Sequence, residues 1–155
     1  MAVQRLKNFL DSEDVRYVSI THSPAFTSQE IAASAHIPGK QMAKCVIVKI
    51  DGEIAMAVLP ASYQVDFAQL RDVIGAGVVE LAKEAEFRDH FPQCELGAMP
   101  PFGNLYGIPV YVARSLAEED TIAFNAGSHR ELLRLSYKDY ERLVKPTVLK
   151  FSVKC

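Results

Sequence analysis

The segment CVIVKI-DG-EIAMAVLP, residues 45–60, limits the folds open to this chain more than any other. Two apolar, strand-forming runs flank Asp51-Gly52, a dipeptide suited to a two-residue turn whose central residues both need positive φ. The spacing predicts a tight antiparallel hairpin. Most of its side chains are apolar, which places the pair centrally in a sheet rather than at an edge. Lys44 stands at its entrance and Pro60 at its exit.

Around this hairpin the pattern alternates between helix and strand. Val3, Leu6 and Leu10 repeat at helical spacing, with Phe9 widening the stripe, so a helix is expected over 2–12. VRYVSIT, residues 15–21, reads as a strand. Thr27 and Glu30 have capping-box spacing, which predicts a short helix ending before Pro38-Gly39. Asp66 is a suitable cap for a helix to Ile74, with Phe67, Leu70, Val73 and Ile74 facing inward. GVVEL is a short strand and LAKEAEFRDHF a further helix. A proline- and glycine-rich loop then runs from about Pro92 to Gly107. IPVYVAR, TIAFNA and ELLRLS are strands, and Ser136 caps the helix YKDYERLV, which Pro146 stops. Short strands and tight turns predict an α+β fold built on a compact, irregular, partly barrel-like mixed sheet with surrounding helices, in a single domain spanning 1–155. No GxGxxG or phosphate-loop sequence argues for a doubly wound alternative.

Several functional classes fall away on composition. The chain has 155 residues, 49% of them hydrophobic, enough for a substantial core. It has no apolar run of about 18 residues and no signal-peptide core, so a cytoplasmic protein without membrane contact is expected. Cys45, Cys94 and Cys155 form no CxxC unit and no spaced ligand set with the histidines, so neither a metal nor any other cofactor is expected. A formal charge of −2 argues against wrapping a long nucleic acid. From Gly127 onward, however, seven Lys or Arg oppose three acids, and such a local excess suits either contact with one end of a nucleic acid or a solvated helix face.

Two places carry candidate chemistry. Lys44 precedes an apolar strand, where a cation can emerge toward a pocket and bind phosphate or developing negative charge; a lysine snorkelling at a strand end fits the same position. AGSH, residues 126–129, follows the strand TIAFN. There Gly127 can aim a backbone N–H into a site, Ser128 can add a polar contact, and His129 can both donate and accept a hydrogen bond. A plain turn ending in a hydrogen-bonded histidine fits equally. Cys45 adjoins Lys44, but strand alternation sends it to the opposite face, toward the core. Adjacent Ser128 and His129 make no convincing triad. In the loop GAMPPFGN, Pro100 and Pro101 stiffen a backbone that Gly97 and Gly103 leave free to approach a neighbour.

Taken in order, HSPAFTSQEIA (22–32), GKQMAKCVIVK (39–49), DGEIAMAVLPASYQVDFAQL (51–70), GAMPPFG (97–103) and the late AGSH resemble the YbaK and prolyl-tRNA-synthetase-associated editing domains, in particular the free-standing branch that deacylates alanyl-tRNA(Pro). The resemblance implies a cleft that receives the aminoacylated 3′ end of tRNA(Pro), lined by His22, Phe26, Lys44, Gly97, Met99, Pro100, Pro101, Phe102, Gly103 and His129. It implies catalysis by Lys44, Gly127, Ser128 and His129, with the lysine fixing charge, backbone donors receiving an oxyanion and the histidine holding carbonyl or water. Hydrolysis of the ester linking a mischarged amino acid to the terminal ribose is the implied reaction, with cysteinyl-tRNA(Pro) as the alternative substrate and a non-catalytic binding module as the alternative class. Prolyl-tRNA synthetase is the implied protein partner, and the chain is expected as a monomer or weak dimer.

Overall fold

The computed structural model describes residues 2–21, 37–92, 94–95 and 97–154; the expected helix after Thr27, together with His22 and Phe26, lies outside them. Helix α1 (Ala2–Ser12) buries Leu6 and Leu10 as its periodicity requires, and strand β1 (Tyr17–Thr21) follows. The hairpin then forms from its turn outward. Asp51 (φ 50°) and Gly52 (φ 87°) both take positive φ, and β2 (Ala43–Ile50) pairs with β3 (Glu53–Pro60) from Ile50 opposite Glu53 to Ala43 opposite Pro60.

The hairpin is central, as its apolar character predicts. β5 (Val79–Leu81) pairs antiparallel with β2, while β6 (Val110–Ala113) runs parallel to β3 and β9 (Thr147–Leu149) parallel to β6. A second, antiparallel sheet has the order β1, β8 (Glu131–Ser136), β7 (Thr121–Asn125), and a third pairs β4 (Tyr63–Val65) with β10 (Ser152–Lys154). The fold is mixed α+β, and none of these sheets closes into a barrel. The first two meet at one parallel bridge, Met42 with Ala123.

Alternation along β2 and β3 builds two cores. Ile47, Met56 and Val58 face Leu6, Leu10, Ile122, Phe124, Leu133 and Leu135. Val48, Ala55, Ala57 and Leu59 face the other way, onto Leu70 and Phe151. A smaller cluster of Ile37, Met42, Ala61, Ala123 and Leu132 fills the joint between the sheets.

Local signals set the helix ends. Asp66 accepts a hydrogen bond from the Gln69 N–H at 3.0 Å at the start of α2 (Phe67–Ile74), and Gly75 closes it with φ 79°. Within that helix Leu70 is buried whereas Val73 is 46% exposed, so the inward stripe is narrower than its apolar residues suggest. Residues 81–91 do not form one helix: a single turn, α3 (Glu84–Phe87), passes into a 3-10 turn, Arg88–His90. A short helix α4 (Arg114–Ala117) links β6 to β7, and Ser136 caps α5 (Tyr137–Val144) by accepting from the Asp139 N–H at 3.2 Å. No helix among the described residues is long and apolar enough to cross a membrane.

Candidate active site

The hairpin turn determines where Lys44 points. Counting from Ile50 opposite Glu53, Lys44 falls opposite Leu59 and Cys45 opposite Val58. Directly paired residues share a sheet face, so Lys44 lies on the Val46–Leu59 side and Cys45 on the Ile47–Val58 side, packed against the larger core. Burial pushes the Cys45 thiol well above its usual range, and the neighbouring Cys94 adds to the shift. A thiol held protonated is a poor nucleophile, which agrees with the core-facing assignment.

β7 leads into the second group. Beyond Asn125 the chain turns through Gly127, whose φ of 99° suits glycine, and returns as β8, with the Ala126 N–H donating to Glu131 O at 3.1 Å. The loop from Cys94 to Met99 is latched onto this turn. The Glu95 N–H donates to Gly127 O at 2.9 Å, the Gly127 N–H donates to Ala98 O at 2.8 Å, and the Glu95 carboxylate accepts from the His129 N–H at 3.1 Å. Gly97 (φ 79°) passes so near that a Cβ there would stand 3.6 Å from His129 Cε1. His129 itself is 9% exposed.

This latch assigns the backbone donors. The Gly127 N–H expected to face an oxyanion is already bonded to Ala98 O, the His129 N–H is bonded to Glu95, and the Arg130 N–H is bonded to Ser128 Oγ at 3.1 Å. Of the four consecutive N–H groups from Gly127 to Arg130, that of Ser128 alone has no hydrogen-bond partner among the described residues. Glu95, which makes two of these contacts, carries no signal in the sequence beyond being an acid two residues before a glycine.

The Pro100–Gly103 stretch packs into the protein. Pro100 and Pro101 are buried, and Pro101 O accepts the Tyr140 hydroxyl at 2.7 Å. Phe102 is fully buried between Phe124 and Tyr140, with ring centroids 5.4 and 5.3 Å away. Gly103 is packed so tightly that a Cβ would come within 2.7 Å of Val110 Cγ2 and 2.8 Å of Ile108 O. Phe102 and Gly103 are thus occupied by packing inside the protein. Met99 and Gly97 do reach a cavity of about 360 Å³, which they border with Cys45, Ile47 and Phe87.

One polar side chain at this end of β7 was not singled out from the sequence. Asn125 is 6% exposed and its Oδ1 has no hydrogen-bond partner among the described residues, a state that costs a folded protein about 1–3 kcal/mol. The signal available was a lone amide closing the otherwise apolar strand TIAFN. Among the described residues no three His, Cys, Asp or Glu side chains gather in a way that could hold a metal ion.

The profile of the aminoacyl-tRNA editing domain matches residues 22–143, a span that contains the Lys44 strand, the Gly97 loop and the Gly127–His129 turn. This chain belongs to the aminoacyl-tRNA editing domain family. Its curated relatives include the proline–tRNA ligases of Bacillus mycoides (strain KBAB4), 26% identical over 57% of this chain, and of Bacillus cytotoxicus, 26% identical over 72%. The matched stretches make up only 16% and 21% of those ligases, so the editing domain corresponds to a small part of each. Among solved structures, the hypothetical protein APE2540 shares the fold with a TM-score of 0.85 and 19% identity, covering 96% of this chain and 99% of that one. A protein described as a candidate trans-editing enzyme for prolyl-tRNA synthetase does so with a TM-score of 0.81 and 18% identity, covering 98% and 97%. The family ties this editing domain to translation and to the prolyl-tRNA synthetases.

Proposed function

We propose that this protein is a single-domain deacylase that acts in trans on mischarged tRNA(Pro), with alanyl-tRNA(Pro) as its substrate. The observation that carries this reading is the editing-domain match over residues 22–143, within which the Gly97 loop is latched by its backbone to the Gly127–His129 turn. In the proposed reaction water adds to the ester carbonyl, the bond to the ribose oxygen breaks, and that oxygen leaves with a proton as the free hydroxyl. Lys44 anchors a phosphate near the 3′ end and so fixes the ester. The Ser128 N–H receives the developing oxyanion, because its neighbours' N–H groups are committed. His129, able to donate and accept, orients the carbonyl or the attacking water, and the vicinal hydroxyl of the terminal ribose assists.

Alanine selectivity follows from size. One methyl group contributes only about 1 kcal/mol of apolar recognition, so discrimination against proline rests on exclusion from a narrow site rather than on attraction to alanine. Contact confined to the 3′ end needs few phosphates, which suits a chain of formal charge −2. Selection of the correct tRNA is then shared with a synthetase partner, and the protein works in the cytoplasm as a monomer or weak dimer.

The test compares loss of labelled amino acid from alanyl-, cysteinyl-, seryl- and prolyl-tRNA(Pro), with and without the protein. Preferential release of alanine, with prolyl-tRNA(Pro) spared, is the expected result. Rates equal to the protein-free control on all four would reject deacylation, and preference for the cysteinyl ester would move the substrate assignment.

A further inference from the structure

Asn125 occupies a position that packing alone does not call for. It ends β7 on the face of Ala123 and opposite Leu132, both members of the small apolar cluster at the joint between the sheets. Its amide is almost wholly buried, and Oδ1 meets no donor among the described residues. An apolar side chain of similar volume would suit that cluster better, since an unbonded buried carbonyl has exchanged hydration for nothing.

Its place relative to Lys44 gives the amide a purpose. β2 and β7 leave the Met42–Ala123 bridge in the same direction, Lys44 two residues beyond Met42 and Asn125 two residues beyond Ala123. Side chains two apart on a strand share a face. Lysine and amide therefore follow the bridge on the same side of the two strands, immediately before the turn that carries Ser128 and His129. An aspartate in place of Asn125 would be a natural ion-pair partner for a lysine in that register. A neutral carbonyl offers an acceptor without adding a negative charge beside the cation.

We infer that Asn125 is a substrate-positioning residue whose carbonyl accepts a hydrogen bond from a donor on the aminoacylated ribose, either the α-ammonium of the amino acid or the vicinal hydroxyl. This rests on the deacylase reading above and adds to it a recognition element for the invariant part of the substrate. Positioning by a group common to every aminoacyl ester complements exclusion by size, since the first orients the ester and the second selects it.

The test uses Asn125→Leu, close in volume and unable to accept. Its kcat/KM on alanyl-tRNA(Pro) is expected to fall at least tenfold while its thermal midpoint stays level or rises, because the unbonded carbonyl has gone. Asn125→Asp, with its carboxylate placed to compete for Lys44, is expected to lose activity as well. A non-hydrolysable amide analogue of 3′-alanyl-adenosine serves as competitor, beside one version without the α-amino group and another without the vicinal hydroxyl. The version that inhibits wild type and Asn125→Leu equally identifies the donor. A fall in thermal midpoint with all three analogues weakened alike would overturn the inference in favour of a structural amide, as would activity of Asn125→Leu within twofold of wild type. If wild-type protein neither hydrolyses the ester nor binds the analogue, the deacylase reading itself has failed.

Discussion

Gly97 and Gly103 bound one loop and meet opposite surroundings. A side chain on Gly97 would rest against the His129 imidazole at ordinary contact distance, whereas one on Gly103 would collide with Val110 and the Ile108 carbonyl. The residues between them divide in the same way. Gly97 and Met99 border a cavity, while Pro101 and Phe102 are tied into the core by Tyr140. The prolines therefore stiffen the root of the loop, and the root holds the tip against the turn that carries His129. A chain segment can serve a site without touching its ligand.

Substitutions that separate root from tip test this division. The largest effect is expected from Phe102→Ala, which empties an aromatic contact in the core and should cost about 3–5 kcal/mol of stability, a large share of the ~5–15 kcal/mol typical of a domain; urea unfolding measures it. Gly103→Ala should cost about 1–3 kcal/mol through overpacking against Val110, with the activity of the remaining folded fraction near wild type. Lys44→Ala reverses the pattern: kcat/KM on alanyl-tRNA(Pro) is expected to fall at least tenfold, about 1.4 kcal/mol of transition-state stabilisation, while circular dichroism and the unfolding transition stay unchanged. Gly97→Ala is expected to give the smallest effect and a mixed one, about 1 kcal/mol of stability because alanine resists positive φ, with a severalfold loss of kcat/KM as the strained turn shifts beside His129. A Gly103→Ala protein that is stable but inactive would break the comparison and return the root of the loop to the binding surface.

What could be read from the sequence was what short-range chemistry decides. The Asp51-Gly52 turn, the Asp66 and Ser136 caps and the opposed faces of Lys44 and Cys45 all follow from residues within one turn or one strand. The three-residue strands β4, β9 and β10 exist through their partners far along the chain, and nothing local marks them. The Glu95 latch, the commitment of the Gly127 N–H and the crowding at Gly103 are likewise tertiary facts. For the same reason nothing local shows that the proline pair is buried. Asn125 carries no local signal either, because an amide at a strand end becomes informative only through its lack of a partner among the described residues.

The Asp51-Gly52 turn also works as an address. Ile50, the last residue of its strand, stands six positions beyond Lys44, a distance of about 20 Å at the usual rise. The two-residue turn beyond Ile50 nevertheless decides which of Lys44 and Cys45 faces each side, because a strand shifted by a single residue exchanges its faces. One residue inserted at the hairpin tip and absorbed by sliding β2 would turn the cation into the larger core and present a thiol in its place, with every residue of the Gly97 and His129 loops unaltered. The side to which the lysine is presented is thus written in part at the far end of its strand, in a dipeptide about 20 Å away.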